Sequence, residues 1–266
     1  MKQFQKTAEL QNYLQSTGKS IGFVPTMGAL HEGHLALIKA SKAGCEITVC
    51  SIFVNPTQFN DPTDFEKYPV TLASDLEKLE AEGCDVVFVP SVSEMYPSGT
   101  AQLKKYDLGF IETILEGKYR PGHFQGVCVV VDLLLQAVQP HKLFMGEKDY
   151  QQVAVVRKML ELTNSSVELV KCPTVRSNEG LALSSRNARL TEEQKEQALA
   201  IYRGFGLSSE TEFKQSLLEN GFESIDYVAC VDPITLQEKP VGEKPYLILV
   251  AAFIGGVRLI DNKTFA

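Results

Sequence analysis

Apolar positions along the chain fall into short runs separated by amphipathic stretches, and the alternation of the two is regular. Ser20–Val24 is an apolar run after Gly18 and predicts a strand; the turn PTMGALHEG follows, and His34–Ala43 carries apolar residues at helical spacing. Glu46–Val54 is β-branched and apolar, as a buried strand would be. Strand, turn, helix, strand is a βαβ unit, which calls for parallel pairing and a right-handed crossover. The alternation continues through a helix at Thr71–Glu82, a strand at Asp85–Val89, a helix at Gln125–Val138, a strand at His141–Met145, a helix at Tyr150–Leu162 and a strand at Val167–Val170. Such a series predicts an α/β fold, a doubly wound parallel sheet with helices on both faces.

After about Val175 the pattern changes. Thr191–Phe205 opens with Thr191 and Gln194 at capping-box spacing and predicts a helix, and Ser209–Asn220 predicts a second. Three apolar runs follow consecutively, Ile225–Val231, Tyr246–Phe253 and Val257–Ile260. Helices followed by consecutive strands read as a small α+β domain, so the expected division is 1–174 and 175–266.

Composition narrows the class. The chain has 266 residues, 44% of them hydrophobic and 22% charged, values of a folded globular protein and not of a disordered one. The net charge of −7 argues against a broad basic face for nucleic acid, while leaving room for a locally positive pocket. The longest apolar stretches, Val127–Val138 (broken by Asp132) and Tyr246–Val257, are shorter than the ~20 residues that span a bilayer. The polar opening MKQFQKTAELQNYLQ predicts no signal peptide. Six cysteines without CxxC spacing predict reduced thiols in a cytoplasmic protein and no zinc site.

Three clusters carry chemistry. His31-Glu32-Gly33-His34 sits where the first turn meets its helix; composition alone yields about 0.004 such His-x-Gly-His matches in a chain of this length. A helix N-terminus offers unpaired N–H groups and a positive dipole end, and two imidazoles add donors for phosphoryl oxygens. A metal site or a pair of exposed loop histidines is the plainer alternative. Gly146-Glu147-Lys148-Asp149 follows the strand His141–Met145, where open parallel sheets bind ligands; Lys148 suits a phosphate and Asp149 a ribose. Leu183-Ser184-Ser185-Arg186-Asn187 combines hydroxyls and a guanidinium suited to phosphate oxygens. Each of the latter two, alone, reads equally as a solvated loop or a turn cluster. No GxxxxGK[ST] and no GxGxxG is present.

These segments carry a resemblance. PTMGALHEGHLALI (Pro25–Ile38), FVNPTQFN (Phe53–Asn60), RPGHFQGV (Arg120–Val127), FMGEKDYQQ (Phe144–Gln152), VRSNEGLALSSRN (Val175–Asn187), YVACVDPITL (Tyr227–Leu236) and RLIDN (Arg258–Asn262) resemble the pantoate–β-alanine ligase family, of the HxGH nucleotidyltransferase-like superfamily. The resemblance implies a Rossmann-like fold and a ligase that activates pantoate with ATP as a pantoyl adenylate, then joins it to β-alanine with release of AMP and pyrophosphate. It suggests a homodimer; Mg²⁺ is expected to accompany ATP, and the charge and apolar runs predict no nucleic acid or membrane partner. Of the site residues, it implies ATP binding by Met27, Gly28, Ala29, Leu30, His31, Glu32, Gly33 and His34, by Gly146, Glu147, Lys148 and Asp149, and by Val175, Leu183, Ser184, Ser185 and Arg186. His34, His31, Lys148 and Arg186 fall at the catalytic positions, and Gln58 and Gln152 at those that hold pantoate. Arg120 matches a basic residue near the site, and Asp75 is a candidate for the outer shell of the metal. Two residues depart from the family pattern: Leu183 stands for a common Met, and Asp132 for a frequent Lys on a helix expected away from the chemistry. The apolar strand Glu46–Val54 is one candidate contributor to the dimer.

Two other readings compete. A related HxGH nucleotidylyltransferase acting on a phosphorylated small molecule would favour a cationic acceptor pocket over the glutamine pair. A non-enzymatic nucleotide-binding module would bind ATP without turnover.

Overall fold

A computed structural model describes residues 1–59, 66 and 68–266; Asn60, which ends the FVNPTQFN segment, lies outside the described residues. Contacts divide the chain into two compact units, Met1–Glu147 with Gln151–Pro173, and Lys148–Tyr150 with Thr174–Ala266.

The first unit is built on six strands: β1 (Lys2–Phe4), β2 (Ile21–Thr26), β3 (Ile47–Ile52), β4 (Val86–Phe88), β5 (Lys142–Gly146) and β6 (Glu168–Cys172). They form one parallel sheet in the order β1-β4-β3-β2-β5-β6. The helices between them are α1 (Thr7–Thr17), α2 (Glu32–Gly44), α3 (Leu72–Ala81), α4 (Val92–Met95), α5 (Leu115–Tyr119), α6 (His123–Val138) and α7 (Tyr150–Leu162). Successive strand residues point to opposite faces, so each strand feeds two cores. Phe23, Val49, Val86, Phe88, Leu143 and Met145 pack with α1, α6 and α7, whereas Val24, Cys50, Val87 and Phe144 pack with Leu37 and Ile38 of α2 and Leu79 of α3. This two-sided burial is why the strands read as continuous apolar runs.

Two features depart from the sequence expectation. β1 and α1 are not legible in the pattern: β1 has three residues, two of them exposed, and α1 buries only Leu10 and Leu14. And β3 cannot join two copies. It is hydrogen-bonded on one side to β2 and on the other to β4, and all six of its residues are buried. Asp132, on α6, accepts from Tyr106 Oη at 2.5 Å and Lys104 Nζ at 3.0 Å, which ties the preceding loop to the helix.

The second unit packs helices α8 (Glu192–Gly204) and α9 (Glu210–Glu219) with an antiparallel sheet of β7 (Ser224–Val231), β8 (Tyr246–Ile254) and β9 (Val257–Phe265). The Thr191–Gln194 capping box forms at the start of α8. β9 runs five residues beyond the apolar stretch, to Phe265, because β8 pairs with it from Ile254 through Tyr246. Lys148–Tyr150 belong to this unit: Tyr150 Oη donates to the Pro233 carbonyl at 2.8 Å, and Asn262 Nδ2 to that of Lys148 at 2.8 Å. Among the described residues no helix is long and apolar enough to cross a membrane.

Candidate active site

The first unit places the turn of the HxGH motif where the sheet order reverses. From β2 the order runs one way through β3 and β4 and the other way through β5 and β6. Ligands of doubly wound sheets bind outside the carboxyl ends of the strands at such a switch point. The turn after β2 holds Met27–His31, and β5 ends at Gly146.

The turn is unusual in its backbone and is held by one helix. Gly28 (φ 81°) and Ala29 (φ 49°) are both left-handed, which costs the alanine about 1 kcal/mol. Asp75, on α3 and fully buried, compensates: its Oδ2 accepts from Ala29 N–H at 2.9 Å and its Oδ1 from Leu30 N–H at 2.8 Å. Thr71 Oγ1 donates to the same carboxylate at 3.1 Å, and Lys78 Nζ donates to the Leu30 carbonyl at 2.7 Å. A Cβ on Gly28 would lie 3.0 Å from Asp75 Oδ2 and 3.2 Å from Ile52, so a side chain there would crowd the carboxylate as well. The candidate metal-shell residue thus accepts two main-chain N–H bonds and one hydroxyl. Among the described residues no three His, Cys, Asp or Glu side chains converge on a possible metal position.

The two histidines of the motif cap α2. His31 is the N-cap; its Nδ1 accepts from Gly33 N–H at 3.1 Å, and His34 Nδ1 accepts from His31 N–H at 3.3 Å. Their rings lie 4.1 Å apart, centroid to centroid. With Nδ1 accepting on both rings, the imidazole proton is on Nε2, so both side chains present N–H donors beside the positive end of the helix. Gly33 allows this arrangement: a Cβ there would come within 2.8 Å of the His31 ring.

Gln58 lies in a 3₁₀ turn, Pro56–Gln58, that begins at Asn55. Asn55 is buried; its Oδ1 accepts from Thr57 N–H at 3.3 Å and Tyr96 Oη at 2.7 Å, while its Nδ2 donates to Gln58 Oε1 and the Gly126 carbonyl, both at 3.3 Å. Gln58 Nε2 reaches Met27 Sδ at 2.8 Å, which joins the two sequence segments. Gln152, on α7, makes no side-chain hydrogen bond to a described residue, whereas its neighbour Gln151 is buried and bonds to the Glu116, Ile111 and Ile114 main chain. Arg120 donates to His123 Nε2 at 3.0 Å and lies 3.6 Å from the Glu116 carboxylate.

The second unit carries the remaining candidates. Lys148 lies in the turn Glu147–Asp149, 3.9 Å from the Asp149 carboxylate. Val175 and Leu183 face each other across a hairpin, Leu183 N–H donating to the Val175 carbonyl at 3.0 Å. Ser184 caps the 3₁₀ turn Ser185–Arg189 by accepting from Arg186 N–H at 3.3 Å. The hairpin is anchored by Arg176, whose guanidinium makes a two-pronged pair with buried Asp261, at 2.5 and 2.9 Å, and donates to the Gly180 and Asn262 carbonyls. Burial pushes the Asp261 carboxyl up, with Arg176 opposing it. All six cysteines are free thiols, and burial raises each of them, Cys84 to about 11 and Cys128 to about 12. None is set up as a thiolate nucleophile.

The family described as pantoate-beta-alanine ligase matches residues 2–264. The chain belongs to the pantoate–β-alanine ligase family. It is 44% identical over 268 residues to a pantothenate synthetase of Bacteroides fragilis, covering 96% of this chain and 94% of that one. Its fold is similar to that of the pantothenate synthetase of Thermus thermophilus, with a TM-score of 0.91, 40% identity and 99% of both chains covered. It is also similar to a pantoate–β-alanine ligase from Francisella tularensis solved with beta-gamma ATP and beta-alanine, with a TM-score of 0.88, 38% identity, and 99% and 97% coverage. As a pantoate–β-alanine ligase, the chain is a C–N bond-forming enzyme that joins pantoate to β-alanine.

Asn55, Thr71, Lys78, His123, Arg176 and Asp261 are absent from the sequence-derived site. Four of them lie inside the segments that carry the resemblance: Asn55 in FVNPTQFN, His123 in RPGHFQGV, Arg176 in VRSNEGLALSSRN and Asp261 in RLIDN. Thr71 and Lys78 have no signal beyond helical spacing from Asp75.

Proposed function

We propose that the ligation proceeds through a pantoyl adenylate. A carboxylate is a poor acyl donor, so pantoate oxygen attacks the α-phosphorus of ATP and the bond to pyrophosphate breaks. The β-alanine amine then attacks the acyl carbon, loses a proton, and AMP departs with the oxygen that had bridged carbon and phosphorus. The observation that carries this reading is the pair of Nδ1-anchored imidazoles at the N-terminus of α2, beside the switch point of the sheet. Fixed Nε2–H donors and helix N–H groups stabilise charge growing on phosphoryl oxygens without reorganising.

His34 and His31 act on the phosphates from Nε2, and the backbone of Met27–Gly33 receives ATP. Lys148 and Arg186, with Ser184 and Ser185, supply charge and donors to the departing pyrophosphate; Asp149 serves the ribose, and Val175 and Leu183 the adenine side. Gln58 and Gln152 hold pantoate as neutral amides, which leaves the nucleophilic carboxylate its charge. Magnesium would accompany ATP and supply positive charge to the phosphates, with phosphate oxygens and water rather than a side-chain cluster holding it. Homodimer assembly and a cytoplasmic location are part of the same proposal, the second consistent with six free thiols.

Pantoate-dependent exchange of labelled pyrophosphate into ATP, without β-alanine, tests the first half. ¹⁸O in the pantoate carboxylate tests the whole: one label is expected in AMP and one in the product amide. Label in inorganic phosphate together with ADP would establish an acyl phosphate instead. Gln58→Ala and Gln152→Ala should each weaken pantoate by ~0.5–3 kcal/mol, according to whether the amide meets a hydroxyl or the carboxylate, and leave ATP affinity in place by calorimetry.

A further inference from the structure

The protein has four histidines, and three of them share one arrangement. His31, His34 and His141 each accept a backbone N–H at Nδ1, from Gly33, His31 and Ile21 respectively. His123 is reversed. Its Nδ1 lies 2.9 Å from the Gln58 carbonyl, which can only accept, and its Nε2 lies 3.0 Å from Arg120 Nη1, which can only donate. Both partners therefore select one neutral tautomer, with the proton on Nδ1. The ring is 5% exposed at the first position of α6.

The element it grips is the turn that carries Gln58. The main chain of that turn meets α6 closely as well: a Cβ on Gly126, three residues after His123, would lie 2.4 Å from the Thr57 carbonyl. Asn55 Nδ2 donates to the Gly126 carbonyl, so α6 holds the turn at both ends. The Gln58 side chain is aimed by Asn55 and Met27, but its backbone is held by His123.

We propose that His123 is a positioning residue for pantoate recognition: its Nδ1–H, selected by Arg120, fixes the Gln58 backbone and hence where the Gln58 amide meets the substrate. The inference rests on the reading of Gln58 as a pantoate ligand. It assigns His123 no contact with substrate and no proton transfer.

Three substitutions separate this role from simple filling of space. In His123→Asn the amide nitrogen occupies the place of Nδ1 and still donates to Gln58, whereas in His123→Gln the larger amide reaches only toward the place of Nε2. We expect His123→Asn to keep the KM for pantoate near that of the parent, and His123→Gln and His123→Ala to raise it by most of the factor that Gln58→Ala does and no further. The KM for ATP should stay within twofold in all three. A volume effect alone would rank Gln above Asn. If all three leave the KM for pantoate unchanged while Gln58→Ala raises it, the positioning role is wrong and the Gln58 reading stands. If Gln58→Ala itself leaves it unchanged, both fall. Two-bond ¹H–¹⁵N spectra of the imidazoles give a readout independent of activity. Three rings should show the Nε2–H form and one the Nδ1–H form, the latter lost in His123→Asn; an Nε2–H form for His123 would overturn the proposal whatever the kinetics.

Discussion

Replacing Asp75 removes the device that holds the turn after β2 in its left-handed conformation. The carboxylate accepts two main-chain N–H bonds at 2.8 and 2.9 Å and one hydroxyl, and it is fully buried. Hydrogen bonds to a charged group are worth roughly 1.5–3 kcal/mol each, so Asp75→Ala forfeits about 3–6 kcal/mol from the two amides. Removing a buried charge returns part of its desolvation cost, which leaves a net loss of roughly 2–4 kcal/mol. At about 2–4 °C per kcal/mol for a protein of this size class, Tm should fall by about 10 °C. The loss concentrates on Ala29 and Leu30, where the left-handed backbone of Ala29 is then uncompensated. A reacting group displaced by about 1 Å can lose 10²-fold in rate. Asp75→Asn keeps the shape and one acceptor and should fall between parent and alanine variant in both quantities. Thermal unfolding and pantoate-dependent ATP–pyrophosphate exchange measure the two effects on the same samples. An alanine variant with parental Tm but a raised Mg²⁺ requirement would refute the reasoning and restore Asp75 to the metal's surroundings. Parental exchange at parental Tm would remove it from both roles.

Lys148→Ala should lower kcat by roughly 10²–10³ with the fold intact, and Asn262→Ala, which releases the Lys148 carbonyl, should lower it less with no change in charge; single-turnover kinetics of the adenylation half check both, and a full-speed Lys148→Ala would take that residue out of the mechanism. Arg176→Met leaves Asp261 buried without its partner and should cost about 3–5 kcal/mol at pH 8. The sign of its pH dependence follows from the raised Asp261 carboxyl: a raised folded value contributes stability that is present in acid and lost as pH rises through it. Loss of Arg176 raises that value further, so the penalty should shrink from pH 8 to pH 5.5 in urea unfolding; a penalty that is constant or larger in acid would contradict it.

Local pattern determined most of the elements. α7 is legible to the residue because Tyr150–Leu162 is amphipathic throughout, and the α8 capping box is legible from Thr191 and Gln194 because a cap involves residues three apart. The interior strands β2, β3 and β4 are legible because burial on both faces leaves them few polar positions, and the HxGH motif because it lies within four consecutive residues. Only the tertiary structure decided what joins distant segments. The order β1-β4-β3-β2-β5-β6 puts β3 in the interior, where an apolar run and a dimer edge look alike in sequence. Asp75 reads as one more acidic residue on a helix until the fold brings it to Ala29 and Leu30, 46 and 45 residues away. His123 and Gln58 are 65 residues apart and Arg176 and Asp261 are 85, and no periodicity connects such pairs. A side chain's type and spacing set what it can donate or accept; which group it meets depends on how the chain closes, because buried polar atoms must find partners wherever packing has placed them.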